Sequence, residues 1–418
     1  MKIAVLGGGF TGLTAAYCLR KKGHEVVLIE KASALGGFAR GFKQPLWDWP
    51  LEYAYHHIFA NDTDIIGFAK EIGYDGVYFK TPHTNSLYGQ AGNYRIIPVD
   101  SPKDFLQFPL LGVIDKIRAA TILAILKLLP NTSLYESTTS EVFITHYMGE
   151  RMWKVFFEQL FRKKFGKYAG KVSAAFLWAR IHKRTRQLGY MRGGFQTFVD
   201  YLERRCFEAG VTIRKDVEIT AIQKGLLING ERFDRIVSTL PTPVLISVAA
   251  KLFPKNYIKR LLTLKYLHAL VLVLETDKPI VSDTYWLNIC TPDVPAMVIV
   301  QQTNFVDKKH YGGNHIAYVG YYLEKEDPRM KMAREELVEM LKPKLEKIEN
   351  VKFKIKNSYI FKGPFAQPIF DIGFKNRKPD FESPIKGFYI ANLDMTYPYD
   401  RGTNYAVSLG KRVAEKVR

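Results

Sequence analysis

The sequence predicts an α/β fold, and three features of its first thirty residues indicate it. Two apolar runs, 2–6 and 24–30, are typical of buried strands, and the second run ends on an acid. A glycine-rich segment, 7–12, follows the first run, and residues 13–22 then carry apolar side chains at helical spacing until Gly23 ends the pattern. Strand, glycine loop, helix and strand in this order form a βαβ unit with parallel strands.

Three glycines in the connecting loop have the G-x-G-x-x-G spacing of a dinucleotide-binding site. Gly7 permits the tight turn, Gly9 lets a pyrophosphate approach the backbone, and Gly12 lets the helix pack closely on the strand. The free N–H groups and the positive dipole end of the helix then face the phosphates. Glu30 follows Gly12 by 18 residues, close to the ~20 expected for an acid that binds a ribose hydroxyl. The residues predicted to bind cofactor here are Gly7, Gly9, Phe10, Thr11, Gly12, Glu30 and Lys31.

Composition indicates a globular chain of two or three domains, since it has 418 residues of which 47% are hydrophobic. Its three cysteines show neither metal-ligand spacing nor a disulfide framework, which fits a reducing compartment, and we expect no metal site. A strand follows Met1 directly, so we expect no signal peptide. No apolar run reaches the ~18 residues of a spanning helix. These features predict a cytoplasmic protein.

The formal net charge of +20 is concentrated in one stretch. Between Arg151 and Arg192 there are 12 Lys or Arg residues and a single acid, Glu158. Such a stretch can meet anionic lipid, nucleic acid or an anionic substrate, or it can be a well-solvated helical face. We expect a small-molecule substrate and no nucleic acid, and the sequence leaves the oligomeric state open.

An apolar helix precedes this basic stretch. Residues near one of its faces are Ile114, Ile117, Thr121, Ile125 and Leu128, and Leu110, Leu111 and Leu129 add apolar area. An apolar helix beside a basic patch is suited to peripheral docking on an anionic membrane surface. The alternative interpretation is that this helix is buried inside a substrate domain.

Two blocks interrupt the α/β pattern. One is helical and basic, at 102–182, and the other combines strands at 266–274, 296–301 and 315–322 with a helix at 329–348. The α/β pattern returns in helices at 196–209 and 403–417 and in strands at 211–214, 217–222, 235–239 and 387–391. We therefore predict a discontinuous dinucleotide-binding domain of residues 1–80, 188–240 and 385–418. A substrate-binding domain would hold residues 81–187 and 241–384, with a helical, basic section at about 102–187.

A second glycine pair, in Leu-Gly-Gly-Phe-Ala-Arg at 35–40, lies just beyond Glu30. It resembles the glycine-glycine-arginine segment of the FAD-dependent amine oxidase, protoporphyrinogen oxidase and carotenoid desaturase superfamily, to which UDP-galactopyranose mutases are related. The resemblance is strong over 1–59 and moderate over 188–240 and 385–418. It implies a Rossmann-type, glutathione-reductase-like FAD domain with an inserted α+β substrate domain. The flavin would be non-covalent, because the C-terminal cysteine that some amine oxidases bond to it is missing.

The resemblance also implies which further residues contact FAD. Its pyrophosphate would meet the second glycine segment, its adenine the backbone of Val217, and its ring the N-terminus of the last helix, whose dipole favours negative charge. These residues are Gly36, Gly37, Arg40, Val217, Asp394, Gly402, Thr403 and Asn404. In the family the arginine directly follows the glycines, so an exposed surface arginine is the alternative for Arg40.

Two adjacent histidines are the predicted catalytic residues. The segment His57-Ile58-Phe59 resembles the mutase segment whose histidine lies beside the flavin ring, and histidine can move protons near neutral pH. We therefore predict a catalytic role for His57 first and His56 second. Tyr397 and Arg401 are predicted to wall the same pocket; Arg401 would bind an anionic substrate group or pair with Asp400.

Together these features predict an FAD-dependent oxidoreductase of the protoporphyrinogen oxidase or amine oxidase type. It would remove hydride from a C–C or C–N bond of a lipophilic or anionic substrate. One alternative is a UDP-galactopyranose mutase-like enzyme that acts on a nucleotide sugar without net redox change. Another is a non-catalytic prenyl- and protein-binding module like the GDP dissociation inhibitors, against which the intact glycines and Glu30 argue.

Overall fold

The computed structural model of the chain describes residues 1–130 and 132–418. Within them, strands β1 to β20 are, in chain order, Lys2–Leu6, Glu25–Ile29, Gly41–Phe42, Leu51–Glu52, Ile58–Phe59, Val77–Lys80, Thr84–Gln90, Asn93–Pro98, Leu188–Met191, Thr212–Arg214, Ile222–Gln223, Leu227–Ile228, Glu231–Arg232, Arg235–Ser238, Tyr266–Thr276, Trp286–Ile289, Val298–Gln301, His315–Leu323, Ile355–Pro368 and Phe388–Ile390. Helices α1 to α14 are Phe10–Lys21, Thr63–Glu71, Pro102–Gln107, Val113–Leu128, Ser140–Phe143, Glu150–Met152, Glu158–Phe165, Ala174–Lys183, Gly194–Glu208, Thr242–Ala249, Lys255–Leu261, Arg334–Glu346, Phe374–Arg377 and Thr403–Lys416.

A five-stranded parallel sheet has the order β10-β2-β1-β14-β20. Its strands come from three separated parts of the chain, and all except the edge strand β10 are mostly buried, as parallel strands covered on both faces are. On one side α1 packs closely on α14. A Cβ added at Gly410 would lie 2.6 Å from the carbonyl oxygen of Thr11, so a side chain there would separate the two helices. The predicted α/β class is confirmed.

A seven-stranded mixed sheet, β19-β15-β18-β17-β16-β7-β8, forms the second layer. Side chains of β18 alternate between two cores: Ala317, Val319 and Tyr321 pack with buried leucines of α12, whereas Tyr318 and Tyr322 join the core shared with the parallel sheet. This period of two is that of a strand buried on both faces. The second face of β18 therefore belongs to the same core as the parallel sheet.

Between Pro102 and Lys183 the regular elements of the described residues are helical. Helix α4 buries Ala119 and Leu126, and its opposite face is exposed: Ile114 is 83% exposed, Ile117 62% and Leu128 77%. The interpretation that this face is buried in the substrate domain is therefore wrong. None of the described helices has the length and apolarity that a bilayer crossing needs.

Two predicted elements differ from the structure. The strand predicted at 217–222 is wrong, since only its last residue belongs to a strand, Ile222–Gln223. Asp216 adopts a φ of 58°, which turns the chain across the end of β2, and the next N–H bonds to the Glu30 carbonyl at 3.0 Å. The helix predicted from 329 begins at Arg334, because Asp327 caps a separate turn, Pro328–Met330.

Candidate functional site

Two glycine loops face each other at the carboxyl edge of the parallel sheet. A Cβ at Gly12 would lie 1.9 Å from the Gly7 carbonyl oxygen, so only glycine allows this approach of helix to loop. The atom nearest to a Cβ at Gly9 would be the Cα of Gly37, at 3.9 Å. The Gly36 N–H bonds to the Gly8 carbonyl at 2.9 Å and fastens the two loops together. The bare backbone of this edge is suited to a pyrophosphate.

Glu30 lies at the end of β2 beside the first loop. Its Oε2 accepts a hydrogen bond from the Gly8 N–H at 2.6 Å, and its Oε1 accepts one from the Ala32 N–H at 2.8 Å. The Val217 N–H bonds to its carbonyl, so the structure brings Glu30 and Val217 together. Lys31 points elsewhere: its exposed ammonium pairs with Glu218 at 2.6 Å. Each carboxylate oxygen of Glu30 keeps a lone pair for a ribose hydroxyl.

Three of the predicted cofactor residues carry a buried polar atom that has no hydrogen-bond partner within residues 1–130 and 132–418. These atoms are Arg40 Nε, Asp394 Oδ1 and Thr403 Oγ1. Buried polar groups are normally paired. Phosphate oxygens and ribityl hydroxyls offer the acceptors and donors that these three atoms need, so the residues fit FAD.

The surroundings of Arg40 and Asp394 support this fit. The Arg40 guanidinium lies 4.8 Å from the Tyr53 ring centroid and is partly buried, so the interpretation as an exposed surface arginine is wrong. Asp394 Oδ2 accepts hydrogen bonds from Thr242 at 2.6 Å and Tyr266 at 2.8 Å. Burial raises the pKa of Asp394 to about 6, so its carboxyl accepts hydrogen bonds at neutral pH and can also donate one below about pH 6.

The N-terminus of α14 has no side-chain cap at Gly402. The Asn404 side chain is used elsewhere, because its Oδ1 accepts the Ile65 N–H of α2 at 3.1 Å. Its backbone N–H, with that of Thr403, remains in the first turn, where a ligand can accept a hydrogen bond. Phe10 similarly offers only its backbone at the start of α1, because its ring is buried and stacks on Phe198 at 5.6 Å.

His56 and His57 lie in the loop between β4 and β5. His56 Nδ1 is 2.7 Å from the Ala54 carbonyl; since a carbonyl only accepts, Nδ1 carries the proton and Nε2 is free to accept. His57 Nδ1 is 3.3 Å from the Tyr285 hydroxyl. Burial lowers the pKa of His56 to about 4 and that of His57 to about 3. Both imidazoles are therefore neutral at pH 7.

A buried acid, Glu52, anchors this loop, and the sequence analysis did not identify it. Its Oε2 accepts a hydrogen bond from the Tyr190 hydroxyl at 2.5 Å, and its Oε1 accepts the Phe195 N–H at 2.6 Å. Its carbonyl accepts the Tyr318 hydroxyl at 2.9 Å. Burial raises its pKa to about 7. The only sequence signal was an acid inside an otherwise aromatic and apolar segment.

Asp400 collects two cations from the helical section. Its Oδ2 lies 2.5 Å from Lys164 Nζ and 2.6 Å from Arg180 Nη1, and its Oδ1 accepts the backbone N–H of Arg401 at 3.1 Å. The Arg401 guanidinium does not pair with it. That group lies 5.0 Å from the Tyr322 ring centroid. The sequence alternative in which Arg401 pairs with Asp400 is therefore wrong for the side chain.

Tyr397 occupies a packing position. Its ring centroid is 5.3 Å from that of Phe370 and 5.5 Å from that of Phe374. Burial raises the pKa of its hydroxyl to about 12, so it stays protonated. No contact with His56 or His57 is found among the described residues, and its catalytic role stays a prediction.

Solved structures share the fold over the whole chain. A protein assigned as a protoporphyrinogen oxidase from Exiguobacterium sp. 255-15 has a TM-score of 0.76 at 17% identity, covering 100% of this chain and 98% of that chain. A reduced UDP-galactopyranose mutase has a TM-score of 0.75 at 17% identity, covering 100% and 93%. Cyclohexylamine oxidase from Brevibacterium oxydans has a TM-score of 0.74 at 13% identity, covering 100% of this chain and 98% of that chain. These identities show a common fold and leave the reaction open.

Sequence relatives match shorter segments. Zeta-carotene desaturase of Zea mays is 29% identical over 134 residues, which are 30% of this chain and 23% of that protein. L-amino acid oxidase of Cerastes cerastes is 38% identical over 110 residues, 26% of this chain and 21% of that protein. The chain thus spans about a quarter or less of the length of these two relatives. A family model, "Flavin containing amine oxidoreductase", matches residues 10–418. This chain therefore belongs to the flavin containing amine oxidoreductase family, whose cofactor is FAD.

Proposed function

We propose that the chain is an FAD-dependent oxidoreductase that removes hydride from a C–C or C–N bond of a small-molecule substrate. The observation that carries the proposal is the set of unpartnered buried atoms on Arg40, Asp394 and Thr403, three residues predicted to contact the cofactor. FAD, when bound, supplies the acceptor for the hydride. The proposal includes no cysteine bonded to the flavin, so the cofactor is held by non-covalent contacts alone.

In this proposal the chain binds the cofactor, orients the substrate and excludes water from the site. Glu30 holds a ribose hydroxyl, and the first turn of α14 presents N–H groups to the cofactor. His57 is neutral at pH 7, so one of its ring nitrogens donates a hydrogen bond and the other can accept one from the substrate. The rings of Tyr285 and Trp286, with centroids 6.0 and 5.4 Å from that of His57, shield it from water.

The anaerobic absorbance spectrum tests this function. Purified protein should carry FAD that is released by denaturation, and an amine or a desaturable substrate added without oxygen should bleach it. A UDP-galactopyranose mutase-like enzyme would need FAD that is reduced beforehand and would return it unchanged. A module like the GDP dissociation inhibitors would be colourless and gain no thermal stability from added FAD. Either of these results would overturn the proposal.

We also propose that the chain, as a cytoplasmic protein, docks peripherally on anionic lipid through the exposed face of α4. Of the 15 large apolar side chains that are exposed among residues 1–130 and 132–418, ten lie between Leu106 and Tyr147. Such concentration marks an interaction surface and not ordinary scatter. Exposed cations flank the face, among them Lys103, Arg118 and Arg151, which suits an anionic bilayer. Co-flotation with phosphatidylglycerol vesicles tests the proposal, and a stable dimer without flotation would assign the face to a second copy.

A further inference from the structure

The charges beside the histidine loop do not balance. Asp400 pairs with both Lys164 and Arg180, and Arg401 follows it in the chain, so the cluster holds three cations and one carboxylate. The ammonium and the carboxylate of this cluster are mostly buried, with 16% and 17% of their side chains exposed. Burial lowers the pKa of Lys164 to about 8, and the positive charge of Arg180 adds to that effect. An added anion would relieve this crowding.

The guanidinium of Arg401 is the cation of the cluster that has no anion. It is half-buried, and in the described part of the chain no carboxylate or other hydrogen-bond acceptor contacts its side chain. A desolvated charge without a partner is costly, and native structures normally pair it. Its five N–H donors form a planar fork that fits a carboxylate or a phosphate through two parallel hydrogen bonds.

The position of Arg401 connects it to the histidines. The Tyr55 ring packs against β18 where Gly320 has no side chain: a Cβ there would be 2.6 Å from the ring. The positive charge of Arg401 lowers the pKa of both Tyr55 and His56. It opposes the effect of burial at Tyr55 and adds to that effect at His56. Tyr55 in turn contacts Trp286 at 5.2 Å, and Trp286 contacts His57 at 5.4 Å. An aromatic wall therefore runs from the guanidinium to the predicted catalytic histidine.

We propose that Arg401 binds an anionic group of the substrate, a carboxylate or a phosphate, while the body of the substrate lies along the Tyr55–Trp286 wall toward His57. This inference rests on the proposed function for the identity of the pocket. The Arg401 guanidinium would then determine substrate specificity. The site would select substrates in which an apolar or aromatic body separates the anionic group from the reacting carbon. Lys164 and Arg180 hold Asp400, which fixes the backbone of Arg401 through its N–H.

Probe binding to the FAD-loaded protein tests the proposal without turnover. Calorimetry would compare benzoate, phenyl phosphate and neutral benzyl alcohol. We expect wild type to bind at least one anionic probe about 10-fold or more tighter than benzyl alcohol, since charge-assisted hydrogen bonds are the strong ones. Arg401→Gln should lose that preference, and Arg401→Lys should keep part of it. The benzoate and phenyl phosphate arms distinguish a carboxylate site from a phosphate site.

Arg412→Gln is the matched control, because its guanidinium also lies on a ring, 4.9 Å from the Phe381 centroid, on the far end of α14. It should bind all probes like wild type. Equal binding of anionic and neutral probes by wild type, or an unchanged preference in Arg401→Gln, would overturn the proposal. If Arg401→Gln did not fold, the wild-type preference and Arg401→Lys would decide. FAD content, read at 450 nm, is measured separately; a colourless protein would refute the function, and the same probe titrations on that protein would still test the anion site.

Discussion

Glu52 and Tyr190 are 138 residues apart and share a hydrogen bond of 2.5 Å in the buried centre of the molecule. The same carboxyl group accepts the first N–H after the glycine pair that starts α9, at Phe195. This single side chain thus joins the β4 strand, and with it the loop of His56 and His57, to β9 and α9. The position of the predicted catalytic histidines depends on it.

We expect Glu52→Gln to change the pH dependence of stability. Burial raises the pKa of Glu52 from its ordinary value of 4.5 to about 7. The folded state therefore binds more protons than the unfolded state between these values, and its stabilisation is present below pH 4.5 and lost as the pH rises to about 7. Glutamine is uncharged at every pH. The free energy of unfolding of the variant should therefore rise relative to that of wild type by ~1.4 kcal/mol per pH unit across this window. Chemical denaturation of both proteins at pH 5 and 7.5 measures this change. A difference in unfolding free energy that is the same at both pH values would contradict the prediction.

Gly9→Val should abolish FAD binding. A Cβ at Gly9 meets only the Cα of Gly37 at 3.9 Å, so the loop itself tolerates added atoms, and the larger side chain enters the space left for a pyrophosphate. The FAD released on denaturation, per protein, measures the effect. Gly67→Ala is the control, since a Cβ on that helical glycine meets nothing within 4 Å. A yellow Gly9→Val protein would show that the pyrophosphate lies elsewhere.

Thr403→Val should weaken FAD binding roughly 2- to 12-fold, the equivalent of one hydrogen bond of about 0.5–1.5 kcal/mol. The hydroxyl is buried and has no partner in the described structure, whereas the valine has nearly the same shape. Titration of apoprotein with FAD measures the affinity. Thr14→Val removes another buried, unpartnered hydroxyl, on α1 facing α14, and should leave the FAD affinity unchanged. Equal effects of the two variants would mean that Thr403 does not contact the cofactor.

His57→Ala should retain FAD and lose activity by roughly 10²–10⁴-fold, the usual contribution of a positioned proton-transfer group. The reason is its place at the end of the aromatic wall, beside Trp286 and Tyr285. Steady-state turnover with a substrate identified by flavin bleaching is the measurement, with FAD content as the control. Turnover at the wild-type rate would reduce the histidine to a packing role.

Ile117→Asp should weaken vesicle binding, because a charge placed on the exposed face of α4 opposes insertion of that face among lipids. Ile117 is 62% exposed, so the substitution should leave folding unchanged. Leu262→Asp is the matched control, since Leu262 is 65% exposed at the end of α11, outside the segment that holds the ten clustered side chains. Flotation with phosphatidylglycerol vesicles at low salt measures binding. Equal flotation of both variants would remove α4 as the docking face.

Much of the FAD-binding half could be predicted because its signals are local. Gly12, where an added Cβ would lie 1.9 Å from the Gly7 carbonyl oxygen, stands at a fixed spacing from the strand before it, and Glu30 follows at a fixed distance along the same βαβ unit. The α/β class, the ends of the first strands and the family resemblance all followed from such short-range patterns. The strand predicted at Val217 failed where one residue, Asp216, took a positive φ that hydrophobic pattern does not report.

The sequence by itself determined the cofactor class and the order of elements, because both depend on spacing within a few turns of chain. Only the tertiary structure decided how charges are paired, because partners of Asp400 lie 236 and 220 residues away from it along the chain. That pairing leaves Arg401 without an anion. It also places Lys164 and Arg180, two residues of the basic stretch, against Asp400 beside the site. It also decided that the α4 face is exposed: an apolar stripe has the same sequence whether it meets a core or solvent, and only the packing of its neighbours distinguishes the two.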